Sequence, residues 1–220
     1  MLQQHPDISF GFDPKRSKQL KLKEVRFFDI DSRYSAGLKL YKSFFKKCQT
    51  KIISDISPGY CIIPTKRIQL ASKIMPNANI FLCIRNPVDR HWSHINKQFF
   101  NGKFKIEDIS EKSFSQWIND PMKISFGEYD KIYQNWNKFF KESQIHLIYT
   151  GEISRSPRMV MNRVFDVLKV AKLPLNNLKE KINHNTIYKN RFQNILEQIY
   201  EPKIERMKTF FGKDIINKWN

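Results

Sequence analysis

The chain has 220 residues, with 39 Lys and Arg set against 21 Asp and Glu, a formal charge of +18 and 14% aromatic positions. Its 40% hydrophobic content suits a globular chain that buries a sizeable core, which excludes an intrinsically disordered protein. The longest apolar run, Ala78 to Ile84, falls well short of the roughly 20 residues a bilayer span needs, and the opening Met1 to Asp7 is polar and contains Pro6, unlike a secretory signal.

A cytoplasmic protein without a transmembrane segment is therefore expected. Cys48, Cys61 and Cys83 are odd in number, widely spaced and without a Cys-x-x-Cys pair, so they read as buried thiols, not as a disulfide framework or zinc site. The charge has two readings. Lysines scattered along the chain, with abundant Asn and Ile, fit codon bias; the same surplus suits an anionic ligand, of which nucleic acid is one class.

In chain order, Val25 to Phe28 and Lys51 to Ser54 read as short strands. Asn79 to Ile84 is a continuous apolar run, the pattern of a central strand covered on both faces. Directly after it Asn86 is placed to cap a helix, with Pro87 in the first position, where a missing N–H costs nothing, and Asp89 in the first turn, where its charge suits the dipole. Asn101 to Glu111 is weakly patterned and reads as a surface loop. Tyr129, Ile132, Tyr133, Trp136, Phe139 and Phe140 recur at the spacing of a core-facing helical stripe. Ile145 to Tyr149 reads as another strand, and Ser156-Pro157 opens a helix that buries Val160, Met161, Val164, Phe165 and Leu168. Phe192, Ile195, Leu196 and Ile199 mark a last helix. Strands separated by helices predict βαβ units, an α/β fold with a largely parallel sheet, in one domain spanning 1–220. Such sheets bind ligands beyond the carboxyl ends of their strands.

Arg85 stands at such an end, and Ser93 lies about two turns into the following helix, roughly 10 Å along it. A guanidinium and a hydroxyl so placed suit a phosphate monoester if the arginine lies along the helix. An ordinary strand-turn-helix with a solvated arginine fits the same residues.

Ile84-Arg-Asn-Pro-Val-Asp-Arg-His-Trp-Ser-His94 resembles the 3′-phosphate motif of sulfotransferases that use 3′-phosphoadenosine 5′-phosphosulfate (PAPS). Lys23-Glu-Val-Arg-Phe-Phe-Asp29 is similar to the Lys-Glu-x-His-Phe-Phe-Asp segment of that family, and Ser54-Asp-Ile-Ser-Pro-Gly-Tyr60 to the Gly-Glu-Lys-Ser-Pro-x-Tyr stretch of its heparan-sulfate-type branch. Leu2 to Pro6, Tyr34, Gly37, Tyr41, Gly127 to Tyr129, Trp136, Tyr149 to Glu152, Tyr200 to Pro202 and Trp219 follow in the family's order. The resemblance implies a three-layer α/β/α fold like that of P-loop nucleotide-binding proteins, and sulfuryl transfer from PAPS to a hydroxyl or amine of a carbohydrate or other small acceptor. It implies Arg85 and Ser93 on the nucleotide's 3′-phosphate, Glu24 as general base, and Asp29 and Lys23 beside it, with no metal.

Two residues depart from the family pattern: Arg26 replaces a histidine and Ile56 a lysine. The family's 5′-phosphosulfate loop, Lys-x-Gly-Thr-Thr/Ser, should precede Leu2, so the expectation is a domain lacking its first strand and that loop, either because Met1 is an internal methionine or because the chain is truncated. Two alternatives follow: a catalytically impaired relic that binds the nucleotide or an anionic glycan, and a nucleic-acid-binding protein resting on charge alone. His91 and His94 at i, i+3 have no acidic or cysteine ligand near in sequence, and Gly-x-Ser-x-Gly, Gly-x-Gly-x-x-Gly and full Walker A motifs are absent. Lys179 to Asn185 falls where the family places a loop over the nucleotide.

Overall fold

The structure is a computed structural model describing residues 2–11, 24–99, 110–174 and 189–219, with backbone alone at 96–99, 111, 113 and 189–192. Lys23, most of the loop expected from Asn101 to Glu111, and Lys179 to Asn185 lie outside these residues. The elements in chain order are β1 (Ile8–Phe10), α1 (Asp31–Ser35), α2 (Leu38–Ser43), β2 (Ile52–Ser54), α3 (Thr65–Ile74), β3 (Ile80–Ile84), α4 (Pro87–Phe99) and α5 (Glu111–Ile118). They continue with α6 (Pro121–Ser125), α7 (Tyr129–Asn137), β4 (Ile145–Tyr149), α8 (Thr150–Arg155), α9 (Pro157–Leu168), α10 (Lys189–Phe211) and α11 (Ile215–Trp219). They fall into two compact units, Met1–Asn79 with Ser156–Leu178, and Ile80–Arg155 with Lys179–Asn220.

In the first unit β1 and β2 pair in parallel, Ile8 opposite Ile52 and Phe10 opposite Ser54. Ile8 packs with Met161 and Phe165 of α9, so the apolar stripe predicted after Ser156 closes over this sheet. Ser156 stands at the cap position of α9 but its hydroxyl makes no capping bond; Pro157 in the first turn and Lys169 in the left-handed conformation at the far end delimit the helix.

Val25 to Phe28 is not a strand. Val25, Phe27 and Phe28 are all at most 1% exposed, so burial does not alternate with period two. The segment turns, because side chains and not a neighbouring strand take up its backbone groups, as described below. Ile8-Ser-Phe10 had offered only three residues of pattern beside Pro6, too short to read as the strand it forms.

In the second unit β3 and β4 pair in parallel, with Ile80 opposite Ile145 through Ile84 opposite Tyr149. The parallel sense and three of the four predicted strands agree with the α/β reading. Leu82 and Ile84 are buried, whereas Cys83 between them is exposed and Cys48 and Cys61 are half-buried, so the thiols are not the buried set expected. Helix α4 begins as predicted: Asn86 Oδ1 accepts from the amides of Val88 at 3.0 Å and Asp89 at 3.4 Å. Val88, Trp92 and Ile95 form its buried stripe and meet Phe114 and Ile118 of α5 and Leu196 and Tyr200 of α10. Tyr129, Ile132 and Trp136 bury the inner face of α7.

Candidate functional site

In the first unit the predicted catalytic residues Glu24 and Asp29 share one irregular loop. Its amides point to hydroxyls: Arg26 N donates to Ser57 Oγ at 2.9 Å and Phe27 N to Tyr60 Oη at 2.9 Å. Its carbonyls are taken by arginines, Val25 O by Arg33 and Phe28 O by Arg67 Nη1 at 2.9 Å. Arg67 also lies over the Tyr34 ring, 4.4 Å from its centroid, and pairs with Asp31. The loop's own apolar side chains drop into an aromatic cluster in which Phe27 and Phe28 touch Tyr41, and Phe28 meets Tyr60 edge-on at 5.3 Å.

These anchors hold Arg26 at φ 53°, a left-handed conformation that costs a non-glycine residue about 1 kcal/mol or more. From there its guanidinium reaches Asp29 Oδ2 through Nε at 2.8 Å and Nη2 at 2.7 Å. The Asp29 side chain is only 8% exposed, and its other oxygen, Oδ1, is buried without a hydrogen-bond partner among the described residues. Glu24, at the loop's start, is half-buried.

A second carboxylate lies behind this loop. Asp55 accepts from Ser57 Oγ at 2.7 Å on Oδ1, and from Tyr60 Oη at 2.8 Å and Tyr41 Oη at 3.4 Å on Oδ2. Burial raises the Asp55 carboxyl above the usual carboxylate range while the three hydroxyls pull it back. Burial first, then the neighbouring Asp55, holds Tyr41 and Tyr60 well above ordinary phenols, so both keep their protons. The likeness of Ser54 to Tyr60 to a family stretch assigns no task to Asp55, Ser57 or Tyr60. Their signal was chemical: a carboxylate and two hydroxyls within six residues, with Pro58 opening the 3-10 turn Pro58–Ile62 that presents Tyr60.

In the second unit Arg85 follows β3 directly and is exposed, with its amide 3.4 Å from Tyr129 Oη. Ser93 is half-buried on α4. On a helix of 3.6 residues per turn, Asn86, Arg90 and Ser93 lie on the side away from the Val88-Trp92-Ile95 stripe. Arg90 is spent on Lys123 O at 2.9 Å and on the Phe126 ring. The amides of Val88 and Asp89 are taken by Asn86, so the exposed Arg85 guanidinium at the carboxyl end of the strand is the feature whose chemistry suits an anionic oxygen cluster.

His91 is fully buried, its Nδ1 2.9 Å from Tyr200 Oη and its Nε2 without a partner among the described residues. Burial, then the charges of Arg90, His94 and Lys123, push it down to about 4. No group of three or more His, Cys, Asp or Glu side chains among the described residues could hold a metal. No described helix is long and apolar enough to cross a membrane.

Residues 10–220 match the family model described as the sulfotransferase domain. Over 183 residues the chain is 24% identical to the bifunctional heparan sulfate N-deacetylase/N-sulfotransferase 1 of Caenorhabditis briggsae, an alignment that takes in 77% of this chain and 20% of that protein. The chain thus spans about a fifth of the length of the curated relative it matches. Among solved structures it is similar to a sulfotransferase from Alicyclobacillus acidocaldarius, with a TM-score of 0.66 and 19% identity over 94% of this chain and 87% of that one, a likeness of fold.

Proposed function

The chain belongs to the sulfotransferase domain family, and from that membership we propose that it moves a sulfuryl group from PAPS to a hydroxyl or amine of a carbohydrate or other small acceptor. The observation that carries the donor assignment is Arg85, an exposed guanidinium set between the end of β3 and the Asn86-capped start of α4. That arrangement suits the 3′-phosphate of the nucleotide, and the Ser93 hydroxyl on the outer side of α4 is a second donor for it. A glycan acceptor draws support from the heparan sulfate enzyme to which 77% of the chain aligns.

Chemically, the acceptor oxygen or nitrogen forms a bond to sulfur as the bond from sulfur to the 5′-phosphate oxygen breaks, and the departing electron pair stays on the nucleotide. The acceptor must lose a proton. Glu24 takes it in this reading, being a half-buried carboxylate at the head of an anchored loop. Asp29 stands five residues on as the second acidic residue of this reading, with Oδ2 neutralised by Arg26 and Oδ1 buried, so that it braces the loop and leaves proton removal to Glu24. Lys23, adjacent to the base, would add positive charge where negative charge develops. A cytoplasmic location and the absence of a resident metal belong to the same reading.

Two measurements test it. Calorimetric titration with adenosine 3′,5′-bisphosphate should show binding that is lost in Arg85→Ala, whereas a nucleic-acid-binding protein would ignore the nucleotide and bind any duplex in a salt-sensitive way. Transfer of labelled sulfate from PAPS to a glucosamine-containing oligosaccharide should then be seen with the wild type and lost in a folded Glu24→Gln. Nucleotide binding without transfer would instead identify a catalytically impaired binding protein.

A further inference from the structure

The loop carrying Glu24 is held by two hydroxyls whose polarity is set from behind. Ser57 Oγ and Tyr60 Oη each have a single proton, and each spends it on Asp55, at 2.7 and 2.8 Å. Each hydroxyl is thereby left with lone pairs facing forward, and these accept the amides of Arg26 and Phe27, both at 2.9 Å. Tyr41 adds a third hydroxyl donor to Asp55 at 3.4 Å, so donors converge on it as they do on an ionised carboxylate, which can only accept. A group that could donate, such as an amide, would turn one hydroxyl around and set N–H against O–H at the loop.

The two amides so fixed flank the left-handed turn at Arg26, the point where the chain changes direction between Glu24 and Asp29. Arg26 then carries the guanidinium that grips Asp29, and Gly59, between Ser57 and Tyr60, lies against the Asp29 carboxylate. Backbone and side-chain contacts of the loop therefore meet the same short stretch, 55–60.

We infer that Asp55, acting through the hydroxyls of Ser57 and Tyr60, is the positioning residue that sets the Glu24–Asp29 loop for proton removal from the acceptor. The inference rests on the reading of Glu24 as the base. Asp55 acts at one remove, through two hydrogen bonds in series, and its effect belongs in turnover and not in nucleotide affinity.

Tyr60→Phe keeps the ring in the aromatic cluster and deletes only the hydroxyl. Its Phe27 amide should exchange with solvent at least tenfold faster, and kcat for transfer from PAPS to the glucosamine-containing oligosaccharide should fall on the order of tenfold. KM for PAPS and affinity for adenosine 3′,5′-bisphosphate should stay at wild-type values. Ser57→Ala should do the same at the Arg26 amide, and Asp55→Asn should match or exceed either. Wild-type kcat in both Tyr60→Phe and Ser57→Ala, beside an inactive Glu24→Gln, overturns this inference alone. Wild-type turnover in Glu24→Gln overturns the base reading and this inference with it.

Discussion

Gly59 lies so close to Asp29 that a Cβ added to it would stand 2.7 Å from Asp29 Cγ and would overlap Oδ2. Glycine is needed here for space, since the Asp29 carboxylate, 8% exposed and gripped by Arg26, fills the volume where a side chain would go. Asp29 Cβ itself would be only 3.1 Å from the added atom, so the carboxylate cannot simply rotate clear.

Gly59→Ala is therefore expected to push Asp29 off Arg26 and strain the loop, at a cost of about 1–3 kcal/mol in urea unfolding. Transfer activity should fall while binding of adenosine 3′,5′-bisphosphate is kept. A variant as stable as the wild type would show that the loop yields freely, against the rigid anchoring described above.

Arg85 offers the complementary test, because its side chain is exposed and its removal opens no cavity. Arg85→Ala should leave the unfolding free energy within about 0.5 kcal/mol of wild type. The same change should weaken adenosine 3′,5′-bisphosphate roughly 10–100-fold in calorimetric titration, the worth of charge-assisted hydrogen bonds to a phosphate. Arg85→Lys should recover only part of this, lacking the bidentate fork. Unchanged affinity in Arg85→Ala would remove the 3′-phosphate from this junction.

What was legible in the sequence follows from which forces act locally. β3, the Asn86 cap and Pro87 were readable because a strand end, a cap and a first-turn proline are written in adjacent residues. The stripes of α7 and α9 were readable because helical spacing alone buries Ile132, Trp136, Val164 and Phe165. Val25 to Phe28 misled because Val and Phe favour strands, whereas this segment's hydrogen bonds go to Ser57, Tyr60, Arg33 and Arg67, from 8 to 39 residues away. Arg26 was recognisable as a departure at a histidine position, but its left-handed backbone and its grip on Asp29 depend on those distant partners. Asp55 shows the same limit: two of the hydroxyls around it are near in sequence, but Tyr41 is 14 residues away and the amides that Ser57 and Tyr60 hold are more than 30 away.

Asp130 of α7 is 2% exposed and is held by Arg206 of α10, through Nε to Oδ2 and through Nη2 to Oδ1 at 3.2 Å. Arg206 Nη2 also reaches Glu128 at 3.0 Å, so one guanidinium serves two carboxylates. Arg206→Met would keep much of the packing yet strand Asp130 in the interior. The expected cost in chemical unfolding is about 2–4 kcal/mol, below the range for a fully buried pair because the guanidinium is itself 41% exposed. Adding Asp130→Asn should return part of the loss by removing the unpaired charge. If the single variant unfolds at the wild-type midpoint, the pair is structurally idle.

His91 ties the second unit's stability to pH. It is buried on α4 with Nδ1 on the Tyr200 hydroxyl, and burial together with Arg90, His94 and Lys123 pushes it down to about 4, against a weak opposing pull from Asp120. The unfolded chain takes up this proton near 6.5, and the folded chain only near 4, so between these values the unfolded state binds more protons. Stability is therefore full above about pH 6.5 and is lost as pH falls towards 4, by about 3 kcal/mol in all. Asp55, raised by burial, slopes the other way, because its proton favours the folded state and that contribution disappears as pH rises through its folded value. The His91 share is isolated by subtraction: His91→Gln keeps the Asp55 slope and lacks the histidine's. Urea unfolding of both proteins at pH 7 and pH 4.5 should show the wild type losing about 2–3 kcal/mol more than His91→Gln on acidification. Equal losses would mean that His91 takes up its proton inside the folded protein, and that its orphaned Nε2 finds water there.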